Sequence, residues 1–232
     1  MKPLLYLFPG LMCDEALWAA QVSGLEDLAE IVVPDFRGFD SLAAMAESAI
    51  SQAPRRFSVV GHSMGGRVAL EAWRIAGAQI DRLALLDTGV APKAGGEGLK
   101  RRCLVELGQR QGMEAVAKAW IPGMVHPDRL SDEPLMYTMT EMLRRCSVDD
   151  FERQQTALLE RPDASGLLAG ISCPTLVACG RQDEWAPPAQ HQAMAAGIAR
   201  ANFEVIEGCG HMSPMERPAE LTALLRAWLE AS

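Results

Sequence analysis

Phe57-Ser58-Val59-Val60 runs directly into Gly61-His62-Ser63-Met64-Gly65-Gly66, and this junction constrains the fold more than any other part of the chain. A short buried strand followed at once by Gly-x-Ser-x-Gly implies a tight strand-to-helix turn that lifts a serine hydroxyl above a sheet. Gly61 and Gly65 stand where a side chain would collide with the adjoining strand and helix. The helix that the turn requires is legible from Arg67 to Ala76.

Around that junction, strand and helix patterns alternate. Strands are predicted at Leu4–Phe8, Ile31–Val33, Phe57–Val60 and Leu83–Leu86, and helices at Glu15–Leu28, Ser41–Ser51 (capped by Ser41) and Arg67–Ala76. Continuous apolar strands in a β-α-β-α rhythm predict an α/β fold with a mostly parallel sheet flanked by helices. The rhythm breaks at the Gly/Pro/Ala-rich stretch from Gly89 to Gly98. From Leu99 to Leu168 the pattern is helical and punctuated by Pro122, Pro127, Pro134 and Pro162. Alternation then resumes with Thr175–Ala178, Pro188–Ala196, Phe203–Ile206 and Pro218–Leu229. The organisation expected is a core domain of residues 1–92 and 169–232, with residues 93–168 inserted as a helical cap over the strands' carboxyl ends, where such sheets bind ligands.

Composition narrows the partners. The chain has 232 residues, 49% hydrophobic and 22% charged, enough for one domain with a full core. Its net charge of −8 argues against nucleic acid or an anionic membrane and fits a soluble, cytoplasmic protein handling small molecules. Leu4–Phe8 is too short for a signal peptide or a membrane span. Lys100-Arg101-Arg102 is the densest basic run and is read as a solvated face. The six cysteines lack any Cys-x-x-Cys pair and read as free thiols. No cluster has metal-ligand spacing and there is no phosphate-binding glycine loop, so neither metal nor cofactor is expected.

A serine hydroxyl needs a base to take its proton and a third group to hold that base. His211 lies in Gly208-Cys209-Gly210-His211 after one predicted strand, and Asp183 in Gly180-Arg181-Gln182-Asp183 after the preceding one. The chain order Ser63, Asp183, His211 is that of the α/β-hydrolases. Glu184 and Asp87 are the competing acids. End to end the chain resembles that fold family, through Phe8-Pro9-Gly10-Leu11-Met12-Cys13-Asp14, Pro34-Asp35-Phe36-Arg37-Gly38, Leu85-Leu86-Asp87-Thr88 and Cys173-Pro174-Thr175-Leu176-Val177. Within the family it is most similar to compact bacterial serine hydrolases with an N-terminal Pro-Gly-Leu-x-Cys-Asp type motif. Many relatives carry His-Gly where this chain has Pro9-Gly10, and the resemblance leads to the expectation that their N-terminal hairpin is reduced or absent here.

The resemblance implies that Ser63 attacks an acyl carbon, His211 acts as base and then acid, and Asp183 orients the imidazole. It further implies an oxyanion hole of two backbone N–H groups, one from Met64 and the other from Leu11 or, as a close second, Met12. Asp14 is either a pocket edge or a helix N-cap, and Asp35 and Arg37 are expected to fix a loop. His62, Met12, Trp120, Met124 and Met139 are candidate substrate contacts, although Met136, Met139 and Leu143 recur at a helical spacing that also suits packing between helices. The activity implied is hydrolysis of a small, uncharged or weakly charged carboxylic ester through an acyl-enzyme. The alternatives are a lyase or C–C bond hydrolase using the same residues, or a non-catalytic small-molecule receptor.

Overall fold

The computed structural model describes residues 2–53 and 56–231. Its centre is a six-stranded sheet of β1 (Leu4–Phe8), β2 (Glu30–Val32), β3 (Phe57–His62), β4 (Ile80–Leu86), β5 (Thr175–Gly180) and β6 (Ala201–Ile206), in the order β2-β1-β3-β4-β5-β6. Every pairing among the described residues is parallel. β1, β3, β4 and β5 are nearly continuous apolar runs because helices cover both of their faces.

Those helices are α1 (Ala19–Leu25), α2 (Leu42–Ile50), α3 (Met64–Ala76), the inserted α4 (Glu97–Gln111), α5 (Met113–Trp120), α6 (Glu133–Arg144) and α7 (Val148–Leu159), then α8 (Pro188–Ala196), α9 (Ser213–Glu216) and α10 (Pro218–Glu230). The chain steps from β1 out to β2 and then back across to β3. Right-handed crossovers in opposite directions send α1 and α2 to opposite faces. α1 accordingly packs on α10, and α2 on α3. Trp18, Phe8 and Phe57 are wholly buried between sheet and helices.

Local chemistry sets the boundaries. Ser41 Oγ accepts the Ala44 N–H at the start of α2 as expected, and Asp132 and Ser147 do the same for α6 and α7. Pro188 and Pro218 open α8 and α10, where a missing N–H costs nothing. The helix expected over Glu15–Leu28 is shorter and split. A 3₁₀ turn, Glu15–Trp18, precedes α1, and Asp14 caps that turn through the Ala16 N–H. Asp14 also holds Arg145 at 2.7 Å, so its role is structural. All six cysteines are free, and no helix among the described residues is long and apolar enough to cross a membrane.

Between β3 and α3, Ser63 adopts φ 53° and ψ −115°, a region that L-residues avoid. The surroundings hold it there. A Cβ on Gly61 would lie 2.3 Å from the Gly65 carbonyl oxygen, and one on Gly65 would lie 2.2 Å from the Phe8 carbonyl oxygen. Both obstacles are backbone and cannot swing aside. Gly65→Ala is therefore expected to destabilise the fold by about 3 kcal/mol, the upper end for overpacking, as measured by denaturant unfolding.

Candidate active site

The loops that follow β1, β3, β4, β5 and β6 all emerge at one edge of the sheet and bring together residues far apart in sequence. Ser63 follows β3, Asp87 follows β4, Asp183 follows β5 and His211 follows β6. The Ser63 hydroxyl meets His211 Nε2 at 2.8 Å, and His211 Nδ1–H donates to Asp183 Oδ2 at 2.8 Å. The other Asp183 oxygen accepts the N–H groups of Trp185 and Ala186, both at 2.9 Å. The carboxylate is buried and its acceptor sites are filled, so the imidazole it grips can hold one orientation and one tautomer.

Burial by itself would lower the His211 pKa, but the adjacent Asp183 charge and hydrogen bond carry it above the ordinary histidine value. Burial likewise opposes ionisation of Asp183, and His211 overcomes it, leaving Asp183 below the usual carboxylate range. The rival acids are placed elsewhere. Glu184 is exposed. Asp87 accepts the Gly180 N–H at 3.0 Å and pairs with the Ser213 hydroxyl. Burial and the nearby Asp183 charge push Asp87 up to about 8, so it is largely protonated at neutral pH.

His62 is almost fully buried, and burial followed by repulsion from His211 pushes it down to about 3. Its neutral Nε2–H donates to the backbone carbonyl of His211 at 2.8 Å. It therefore braces the imidazole-bearing loop from behind.

Two backbone donors are free beside Ser63. Met64 N–H opens α3, where helix geometry supplies no partner. Leu11 N–H, on the loop after β1, has no acceptor among the described residues. Met12 N–H is occupied by Gln154 Oε1 at 2.8 Å, which separates two residues that the sequence left close together. Gln154 belongs to α7 and also donates to the Phe36 carbonyl at 3.2 Å, so the inserted helices brace this loop.

A cleft of about 480 Å³ opens over Ser63. Of the expected contacts, His62, Trp120 and Met124 line it. Met12 and Met139 do not. Met139 is completely buried in packing between helices, and Met12 faces a small separate hollow near Arg145. His126 caps a short turn by accepting the Asp128 N–H, and Asp35 clasps Arg37 at 2.8 Å as a loop brace. Burial raises the Cys13 thiol far out of the reactive range.

Sequence reasoning passed over three residues of this region. Trp185 packs against both the His211 and Trp120 rings in tilted geometry, with centroids 5.1 Å from each; its position two residues after Asp183 was the available signal. Glu216 is buried and collects the N–H groups of Gly210 (3.0 Å), Met212 (3.1 Å) and His126 (2.6 Å). The third is Arg67 on α3, one helical turn beyond Ser63, which lines the cleft. Arg101 is a correction to the solvated basic face: its guanidinium turns inward onto Glu97 at 2.8 Å.

The comparisons agree with this architecture. A profile described as "Alpha/beta hydrolase family" matches residues 5–224, and the chain belongs to that family. A thermophilic esterase from Thermogutta terrifontis, solved with malate bound, is 30% identical at a TM-score of 0.92, over 99% of this chain and 89% of that one. The enol-lactonase from Burkholderia xenovorans LB400 has the same fold, with a TM-score of 0.90, 23% identity, and coverage of 100% and 92%. A 2-hydroxy-6-oxononadienedioate/2-hydroxy-6-oxononatrienedioate hydrolase from Cupriavidus pinatubonensis is 28% identical over 170 residues, 69% of this chain and 57% of that protein.

Because Asp183 holds the His211 proton, the imidazole should titrate above about 6.5, the ordinary histidine value. Asp183→Asn should bring that titration down, as followed by NMR of the His211 ring.

Proposed function

We propose that this chain is a serine hydrolase that cleaves small carboxylic esters through an acyl-enzyme intermediate. The observation that carries the reading is the unbroken pair of 2.8 Å hydrogen bonds from Ser63 through His211 to Asp183. In this reading Ser63 Oγ attacks the acyl carbon as His211 takes its proton, and Asp183 stabilises the resulting imidazolium. The Leu11 and Met64 N–H groups receive the oxyanion. His211 then protonates the departing alkoxide, and water repeats the sequence to release the acid. Residues 93–168 act as a cap that supplies Trp120 and Met124 to the cleft wall and leaves Ser63 reachable beneath.

A second reading, a lyase or C–C bond hydrolase employing the same three residues, is favoured by one finding. The Cupriavidus relative is named for an oxo-dienedioate substrate rather than an ester. The two readings part on simple esters.

Short-chain p-nitrophenyl esters should be turned over with Ser63 rapidly labelled by a fluorophosphonate, and Ser63→Ala should lose on the order of 10⁴-fold or more in kcat. Rapid labelling without ester turnover would favour the second reading, and full turnover by Ser63→Ala would overturn both. The pH profile adds a signed expectation. Only neutral His211 can accept the serine proton, so kcat/KM should rise with pH through an inflection above about 6.5, in line with the raised His211 value.

A further inference from the structure

The far end of the cleft is cationic, and its charge is not balanced. Arg67, Arg101 and the exposed Lys100 line it with one carboxylate, Glu97, and Arg161 reaches that carboxylate from outside the lining. That carboxylate is committed elsewhere. Glu97 grips Arg161 through two 2.7 Å bonds and Arg101 through one of 2.8 Å. These interactions, against the cost of its own burial, hold Glu97 down at about 2. Arg161 spends its remaining donors on the carbonyls of Ala91, Pro92 and Leu158, and Arg101 reaches Gln155. Both are structural ties for the segment entering α4.

Arg67 differs. Its one hydrogen bond is to the Ala91 carbonyl at 2.9 Å, and it has no carboxylate within salt-bridge range among the described residues. A guanidinium carries five N–H donors in a rigid fork that suits a carboxylate. Arg67 Nη2 lies near Gly89, as does the Gln190 carboxamide. A Cβ on Gly89 would sit 3.3 Å from that nitrogen and 2.2 Å from Gln190 Nε2. Burial, then repulsion from Arg161, presses the Arg67 pKa down to about 9, which still leaves it protonated at neutral pH. The other acid lining the cleft, Asp87, is tied to Gly180 and Ser213 and offers Arg67 no counter-charge.

We propose that Arg67, assisted by Gln190, binds a free carboxylate on the substrate, so that the ester hydrolysed carries a second, ionised acid group a few bonds from the scissile carbonyl. This deepens the hydrolase reading and rests on it. It also replaces the uncharged or weakly charged ester of the sequence reading with an anionic one. The reaction consumes one water, breaks the acyl C–O bond, and yields an alcohol, a carboxylate and one proton. When the acid group is on the acyl side, the product is a dicarboxylate.

The test pairs isosteric esters: monomethyl adipate against methyl hexanoate, and the acetyl ester of a terminal hydroxypentanoate against pentyl acetate. Proton release is followed in a pH-stat. In at least one pair, kcat/KM should favour the carboxylated ester by on the order of tenfold or more, the value of a charge-assisted hydrogen bond. Arg67→Gln should collapse that ratio, Arg67→Lys should restore part of it, and added salt should erode it. Equal or reversed ratios in both pairs, or a ratio that survives Arg67→Gln in protein with an unchanged melting temperature, would overturn the proposal. Calorimetric binding of monomethyl adipate and methyl hexanoate to Ser63→Ala separates the two ideas. Selective, Arg67-dependent binding of the acid to Ser63→Ala, combined with no turnover of any of the four esters by the wild-type chain, would sink the ester-hydrolase reading and leave the carboxylate site standing.

Discussion

The backbone of Ser63 cannot relax, and the arrangement at the sheet edge depends on that constraint. A left-handed conformation at a non-glycine residue costs on the order of 1–3 kcal/mol, and the close approach of the neighbouring backbone leaves room only for glycine on either side of it. Gly61 lies against Gly65, and Gly65 against Phe8. The Ser63 N–H is anchored to the Leu86 carbonyl at 2.9 Å, while its own carbonyl accepts the Thr88 hydroxyl at 2.7 Å. Strands β1, β3 and β4 thus clamp one residue from three sides. The hydroxyl is delivered upward, and the Met64 N–H is left free because the helix starts there.

Around this fixed point the remaining polar groups have unequal tasks. Two acids lie under the same imidazole loop, and burial separates their behaviour. Asp183 has a histidine and two N–H donors and stays ionised. Asp87 faces the field of Asp183 and is driven toward its neutral form. Burial and the Asp183 charge both disfavour a second negative charge on Asp87. His62 follows the same economy, remaining neutral and spending its one proton on the His211 carbonyl.

Much of this was legible in the sequence, because the residues concerned obey local rules. Gly-x-Ser-x-Gly after an apolar run fixes the elbow, the capping serine at 41 fixes a helix start, and Gly-flanked Asp183 and His211 sit just past strand ends. What escaped the sequence depended on contacts across the chain. Leu11 and Met12 are adjacent and equivalent on paper; only Gln154, 142 residues away, consumes one N–H and leaves the other. Met139 has the right composition for a pocket, but helical spacing does not say which neighbour a helix faces. Arg67 and Arg101 look like ordinary surface cations until folding brings them to Glu97 and Arg161. Glu216 has no motif at all, since its partners are backbone amides.

Glu216 and Met124 together tie the roof of the cleft to the machinery beneath it. The His211 N–H donates to the Met124 carbonyl at 2.6 Å, and Glu216 binds the amides of His126 and of the imidazole loop at once. There is no slack at the crossing, since a Cβ on Gly210 would come within 2.6 Å of the Met124 oxygen. A bulky guest that levers residues 124–126 outward would drag the imidazole out of register with the serine. Oversized molecules would then be penalised in turnover as well as in binding, and discrimination by size would be enforced through the chemistry itself.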